Sequence, residues 1–451
     1  IRLTDIIFEQ AKFDPTFEFT GRYDRNVRPL NRPILGFSTT SFQTEPETFD
    51  ENTESLNAGL TQKLITGGDY DLKFDILRNS VAGQTQFLFN PAYSPTLTLN
   101  ISQPLLRDFG PSVNQTQIQI ARNNAKVEDH VFFGQVLTVI STVEQAYWEL
   151  VFANEGLKVA QAALRAAKEL EKTNRAKAKA GLMAIVDVLQ AEAAVASRVE
   201  QVIIAEKAIR DQQDQLRQLL NPSEQDMRQE VEVIPLDKPV QTLQAISLQE
   251  TIDTAMERRP EVLQAHKNID TSKLNARFAK NQLLPSLTIQ GTGGLIGLGG
   301  TATADSIDRT VSGDFYNLGA GLVLSYPLGN RSAWSQYNKR QLEARNAKVS
   351  LQSARQQVII DVKEAVRRVQ TDFKRIETTR SARILSEKQL QAEQERLNVG
   401  LSTTRFVLEF QRDLAIAQRN ELRAVVDYNQ SLANLARSQG ITLEQYRIEL
   451  E

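Results

Sequence analysis

The sequence predicts a mixed α and β membrane protein with a two-fold internal repeat. Three observations carry that expectation. Short segments alternate apolar and polar residues, long segments repeat their apolar residues every seven positions, and both kinds recur in the same order in the two halves of the chain.

Composition sets the outer bounds. The 451 residues suffice for two or three ordinary domains, and 41% of them are hydrophobic, so a large buried core is available. The net charge of -2 gives no reason to expect nucleic acid, which wants a basic face. With no cysteine, disulfides, thiolate metal sites and a cysteine nucleophile are excluded. No run of about 18 apolar residues is present to cross a membrane as a helix. The chain opens Ile1-Arg2-Leu3-Thr4 without a basic-then-apolar leader.

The repeat is read by matching segments. Leu99-Asn100-Ile101-Ser102-Gln103-Pro104-Leu105 corresponds to Leu322-Val323-Leu324-Ser325-Tyr326-Pro327-Leu328. Ala121 to Val127 corresponds to Ala344 to Val349 with one residue deleted, and Gly181-Leu182 to Gly400-Leu401. Each half therefore runs strand, Pro-Leu turn, long helix, Gly-Leu turn, second helix. The second half begins with an additional helix, Ser247 to Gln282, where the first has only Ile1 to Phe13. About twenty residues of a first helix are expected upstream by this repeat argument, and a leader or lipid-bearing residue would belong there.

From Ser112 to Lys179 the apolar period is seven. Val136, Val143, Leu150, Leu157 and Leu164 form one line, and Val139, Ala146, Ala153, Ala160 and Ala167 its companion. The small alanine line lets helices approach closely. Val362, Ala365, Val369 and Ile376 repeat the pattern in the second half. A helix of about 65 residues would be about 100 Å long. Each long helix is expected to end at a glycine, Gly181 or Gly400, the usual left-handed terminator. A return helix follows at Ala184 to Leu220 and at Thr404 to Arg437, the first with Val188, Val195, Val202, Ile209 and Leu216 seven apart. A soluble coiled coil explains these helices equally well.

The strands separate the two readings. Six candidates lie near Phe17–Asp24, Leu56–Ile65, Tyr70–Arg78, Thr96–Gln103, Ser286–Gly293 and Asn317–Tyr326. In the third, Tyr70, Leu72, Phe74 and Ile76 oppose Asp71, Lys73 and Asp75. A face of charge, amide and glycine fits a strand with lipid outside and water inside. Thr66-Gly67-Gly68-Asp69 is a short turn, whereas Arg28 to Ser55, Asn79 to Ser94 and Leu298 to Phe315 are long polar connections. The acidic cluster Glu45, Glu47, Asp50, Glu51 and Glu54 is expected in one such loop. Backbone within a membrane must be closed. So few strands cannot close a barrel, and several copies around an axis are required.

At this point the whole chain resembles the TolC-type outer-membrane efflux protein family. The resemblance is carried by Ser102 to Leu106, Ala146-Tyr147-Trp148-Glu149-Leu150, Ala180-Gly181-Leu182 through Val186-Asp187-Val188-Leu189-Gln190-Ala191-Glu192, and Val399-Gly400-Leu401-Ser402-Thr403. It implies a homotrimer whose transmembrane β-barrel continues into a long periplasmic α-helical barrel. A periplasmic adaptor (membrane fusion protein) and an inner-membrane pump feed such a duct, of either an efflux or a type I secretion system. The implied division is 1–111 and 247–330 for the membrane strands with their leading helices, 112–220 and 331–439 for the helical hairpins, and 221–246 and 440–451 for an equatorial belt. Ala180, Gly181, Leu182, Val399, Gly400, Leu401 and Ser402 fall at tips that meet the adaptor in the family. Phe406 and Glu409 fall where well-known members carry two aspartates narrowing the periplasmic entrance, and Asp187 and Gln190 are their first-repeat equivalents. Only Glu409 of the Phe406 and Glu409 pair is acidic, so an aperture here would be partly apolar. Well-known members supply four strands per protomer, twelve in a trimer; six candidates here would give eighteen, the rival being that the extra hairpin around Thr66-Gly67-Gly68-Asp69 stands outside the membrane as a lid or folds over the mouth.

An enzyme, a cofactor or a metal finds little support. The two histidines, His130 and His266, stand in separate helices as ordinary surface residues. Gly291 to Gly300 lacks the Gly-Lys-Ser/Thr ending of a phosphate loop and reads as a strand end entering a loop. The rival from another class is a soluble periplasmic coiled-coil adaptor or scaffold. A plain diffusion porin is disfavoured because porins lack long helices.

Overall fold

The computed structural model describes residues 2–30, 47–82, 87–228, 231–300 and 303–449. Two compact units emerge, one of residues 1–128 and 267–348, the other of 129–266 and 349–451.

The first unit holds one six-stranded antiparallel sheet in sequential order. Its strands are β1 (Thr16–Leu30), β2 (Glu47–Lys63), β3 (Asp69–Ala82), β4 (Ala92–Pro104), β5 (Ser286–Ile296) and β6 (Tyr316–Ser325). All six candidate strands are present, and their registers are in phase. Phe17 pairs with Leu60, Leu60 with Leu72, Leu72 with Leu99, Leu99 with Gly293 and Gly293 with Leu318. Directly opposed residues share a face. One face therefore collects Phe17, Phe19, Leu56, Leu60, Leu72, Phe74, Ile76, Leu97, Leu99, Ile101, Ile289 and Leu322. The other collects Glu18, Asn57, Asp71, Lys73, Asp75, Thr98, Asn100, Thr292 and Gly319.

The strands exceed their expected limits. Of the polar stretch Arg28 to Ser55, residues 28–30 belong to β1 and residues 47–55 to β2. Glu47, Asp50, Glu51 and Glu54 thus lie in a strand, not a loop, and Glu45 lies outside the described residues. Cross-strand ion pairs hold Asp50 and Glu54 there. Arg25 reaches both oxygens of Asp50 at 3.1 and 2.7 Å, and Arg78 meets Glu54 at 2.6 Å. The connection after β5 contains a short helix, α8 (Thr303–Val311). Its Ser306 and Thr310 are buried, and a Cβ on Gly297 would sit 2.1 Å from the Thr310 hydroxyl. The glycine-rich run therefore admits a helix that any side chain would push away.

The other helices are α1 (Arg2–Gln10), α2 (Pro111–Asn114), α3 (Thr116–Lys179), α4 (Ile185–Leu220), α5 (Glu224–Met227), α6 (Leu248–Arg258), α7 (Pro260–Asn281), α9 (Arg331–Asn398), α10 (Thr404–Gln439) and α11 (Thr442–Tyr446). The segment Ser247 to Gln282 is two helices rather than one. Arg259 is extended (φ -64°, ψ 125°) before Pro260, because proline disfavours helical backbone in its predecessor and cannot donate a hydrogen bond.

In the second unit the seven-residue lines become the core. Ala146, Leu150, Ala153 and Ala167 of α3 are buried, as are Val362, Ala365, Val369 and Ile376 of α9. The expected line departs at Val139, which is 44% exposed while Leu137 is buried. Leu150 is fully buried beside Ala146 and Leu216, with Ile209, Leu219 and Val233 around it. Leu150→Ala should cost about 2–5 kcal/mol through lost burial and a residual cavity. The expected outcome is a lower urea midpoint of the helical circular-dichroism signal with an unchanged slope.

Candidate functional site

The hairpin tips are built twice from one local rule. At the first, Gly181 N–H donates to Ala178 O at 3.0 Å and Leu182 N–H to Lys177 O at 2.9 Å. At the second, Gly400 N–H donates to Leu397 O at 3.3 Å and Leu401 N–H to Arg396 O at 2.8 Å. Both are Schellman caps, which need a left-handed residue at the turn, and the glycines have φ of +71° and +78°.

Ala180, Gly181, Leu182, Val399, Gly400 and Leu401 are exposed, and Ser402 is half-buried, its hydroxyl donating to Glu393. Leu182, Ile185 and Val186 at one tip and Val399 and Leu401 at the other leave apolar surface open. Single exposed apolar residues are ordinary; several beside one turn leave apolar surface available for contact.

Phe406 and Glu409 share the first turns of α10 and are exposed; Asp187 is half-buried and Gln190 exposed on α4. The structure brings the two helix starts together through a residue that the sequence reading passed over, Asn174. This fully buried side chain donates from Nδ2 to Thr404 Oγ1 at 2.9 Å and to Asp187 O at 3.4 Å. Among the described residues, no hydrogen bond joins the side chains of Phe406, Glu409, Asp187 and Gln190 to one another. Asn174 continues the alanine line by seven residues from Ala167, so a polar residue on that line was the available signal. Below it, Leu390, Leu397 and Val407 pack with Leu170, Phe410 and Leu414.

Farther from the tips, an extended strap formed by residues 231–246 is tied down by side chains. The Asn429 amide clamps Val240 at both backbone groups, at 2.9 and 3.0 Å. Buried Tyr428 donates to Thr242 O at 2.8 Å, and Tyr147 to Asp237 at 2.7 Å. A charge chain runs from Glu149 of α3 through Arg423 and Asp427 of α10 to Arg375 and Asp372 of α9. The C-terminal helix α11 is fastened by Arg258 to Glu444 and by Tyr446 to Glu144. Among the described residues no group of three metal-binding side chains occurs, and no helix is long and apolar enough to cross a membrane. His266 lies 3.2 Å from Arg355.

Burial pushes the Glu144 carboxyl above its ordinary value, partly opposed by the Tyr446 hydrogen bond. A carboxyl with a raised folded pKa contributes stability fully below the unfolded value of 4.5. That contribution is lost as pH rises through the folded value. Glu144→Gln cannot ionise. The variant should protect the α11 segment from proteolysis at neutral pH at least as well as the wild type does. It should also flatten the wild type's gain in protection on acidification.

Comparison with known proteins accords with this geometry. The outer membrane efflux protein family matches residues 69–222 and 251–440. The outer membrane protein TolC of Vibrio cholerae serotype O1 is 24% identical over 401 residues, 88% of this chain and 86% of that protein. The Campylobacter jejuni CmeC outer membrane channel superposes with a TM-score of 0.66 at 16% identity, over 98% of this chain and 80% of that one. The outer membrane protein VceC of Vibrio cholerae does so with 0.66 at 16%, over 97% and 90%. These structural likenesses establish the fold. The family match spans most of the chain, in two blocks that follow the internal repeat: this outer-membrane transport protein belongs to the TolC-type outer membrane efflux protein family.

Proposed function

We propose that the chain is one subunit of a trimeric exit duct, passing substrates from an inner-membrane pump and a periplasmic adaptor across the outer membrane. The observation that carries this reading is the in-phase sheet with one apolar and one polar face. The row Tyr23, Glu54, Arg78 and Tyr93 bounds the apolar patch at one end. From Tyr70 to Arg78 is about 27 Å along a strand, which suits a tilted strand in an outer-membrane hydrocarbon layer about 25 Å thick. The strand number is even, so β1 and β6 run antiparallel and identical copies can join edge to edge. Three copies of six strands close eighteen, a wider barrel than twelve would give.

In this reading α3, α4, α9 and α10 of three copies build the periplasmic helical barrel. The strap of residues 231–246 and α11 form its equatorial belt. Ala180, Gly181, Leu182, Val399, Gly400, Leu401 and Ser402 dock the adaptor's helical tips. Phe406 and Glu409, with Asp187 and Gln190, line the periplasmic aperture, where a phenyl ring replaces part of an electrostatic constriction. The pump selects the substrate, and the duct performs no catalytic step.

Leu401→Asp tests the docking assignment. Leu401 is 71% exposed, so the change should leave stability within about 0.5 kcal/mol. Export of the cognate pump's substrate from cells, and cross-linking to the adaptor, should both fall to the level of cells lacking the duct. Undiminished export with normal cross-linking would remove the tips from the docking surface.

A further inference from the structure

The sheet carries information about how copies meet. Its edge strands β1 and β6 are exposed along both faces among their described residues, and the most open apolar side chains of the sheet lie there, among them Phe17, Phe19, Tyr316, Leu318, Leu322 and Leu324. Resting on the proposed trimeric duct, the question is the register in which β6 of one copy meets β1 of the next.

Three constraints fix it. The first is phase. Apolar residues are odd-numbered on β1 and even-numbered on β6, so only an even stagger per subunit keeps the two faces continuous.

The second is tilt. A line drawn across the ladder from Thr16 passes Thr61, Asp71, Asn100 and Thr292 and reaches Gly319. Continued one strand further, it meets the partner's β1 displaced from residue 16 by the stagger of one subunit. With about 3.3 Å per residue and about 4.8 Å between strands, a stagger of four residues gives a tilt of about 25°, six about 35° and eight about 43°. Membrane barrels lie at about 35–45°, which leaves six and eight.

The third is side-chain chemistry. A stagger of eight puts Leu318 opposite the partner's Arg25, whose guanidinium is already held by Asp50 above the apolar patch. A stagger of six puts Leu324 opposite the partner's Phe17, Leu322 opposite Phe19, Ala320 opposite Gly21 and Leu318 opposite Tyr23. Tyr316 then faces Arg25, echoing the Arg78 and Tyr93 contact inside the sheet. On the polar face, Gly319 faces Arg22, as Gly59 faces Lys73 within the sheet.

We infer that the subunit seam is a β6-to-β1 antiparallel ladder with a stagger of six residues, in which Leu322 of one copy lies directly opposite Phe19 of the partner subunit.

The chain has no cysteine, so introduced pairs can be read without background. The full-length protein is expressed in outer membranes with Leu322→Cys and Phe19→Cys together, or with Val323→Cys and Glu18→Cys together. Neighbouring pairs alternate between wide and close spacing, so one of these two is of the close type that bridges. Comparison proteins carry Leu324→Cys with Phe19→Cys, and Ser325→Cys with Glu18→Cys, matching a stagger of eight. After mild oxidation, non-reducing gels should show covalent dimers and trimers for at least one of the first two proteins and monomers for both comparison proteins. Bridging in the comparison proteins instead would overturn the register and leave the trimeric duct standing. A native trimer that bridges in none of the four would overturn the β6-to-β1 seam. A chain that is monomeric in native mass measurement would instead sink the duct reading on which the register rests.

Discussion

A strand inside hydrocarbon has no water to satisfy its free backbone groups, and the six-stranded sheet offers two such edges. That requirement orders much else in the molecule. In the proposed duct it is met by copies arranged around an axis. In that reading every strand keeps the same face to lipid, since a slip of one residue would bring Asp71, Lys73 and Asp75 to the place of Leu72, Phe74 and Ile76. The registers meet this demand across all five pairings. The ion pairs of Arg25 with Asp50 and Arg78 with Glu54 stand where the apolar patch ends.

The helical unit answers a different constraint. Helices of 64 and 68 residues cannot bury themselves alone, so they are laid against shorter return helices along lines of small and branched residues. The two tips use the same cap, a glycine with positive φ followed by an exposed leucine, which keeps the turn tight and its apolar side chains outward. Inside that junction one polar residue, Asn174, replaces alanine on the packing line and bonds to the starts of both return helices. A buried side-chain hydrogen bond of this kind specifies alignment more than it adds stability.

What was legible in the sequence was periodic. Alternation located all six strands, and the seven-residue lines located three of the four long helices, because those patterns are local consequences of burial on one face; the fourth followed from the turn at Gly400. Strand ends were not legible. Asp50 and Glu54 look like loop residues until the arginines paired with them are known, and those lie 24 or more positions away in sequence. The helix break at Arg259 was within reach, since Pro260 announces it. The strap was not, because Asn429 reaches Val240 across 189 residues. The candidate tip residues were located by their glycines, and the structure adds their shared cap geometry. It adds Asn174, which the alanine line would have shown had it been followed one heptad further.

In the proposed duct the apolar face of this sheet meets lipid and the polar face meets water. Nitroxide labels placed singly at residues 71 to 76 of the cysteine-free chain, reconstituted in bilayers, test it directly. Collisions with oxygen, which concentrates in lipid, should peak at positions 72, 74 and 76. Collisions with a water-soluble nickel chelate should peak at 71, 73 and 75. A profile without a two-residue period, or one with the two quenchers exchanged, would contradict the account.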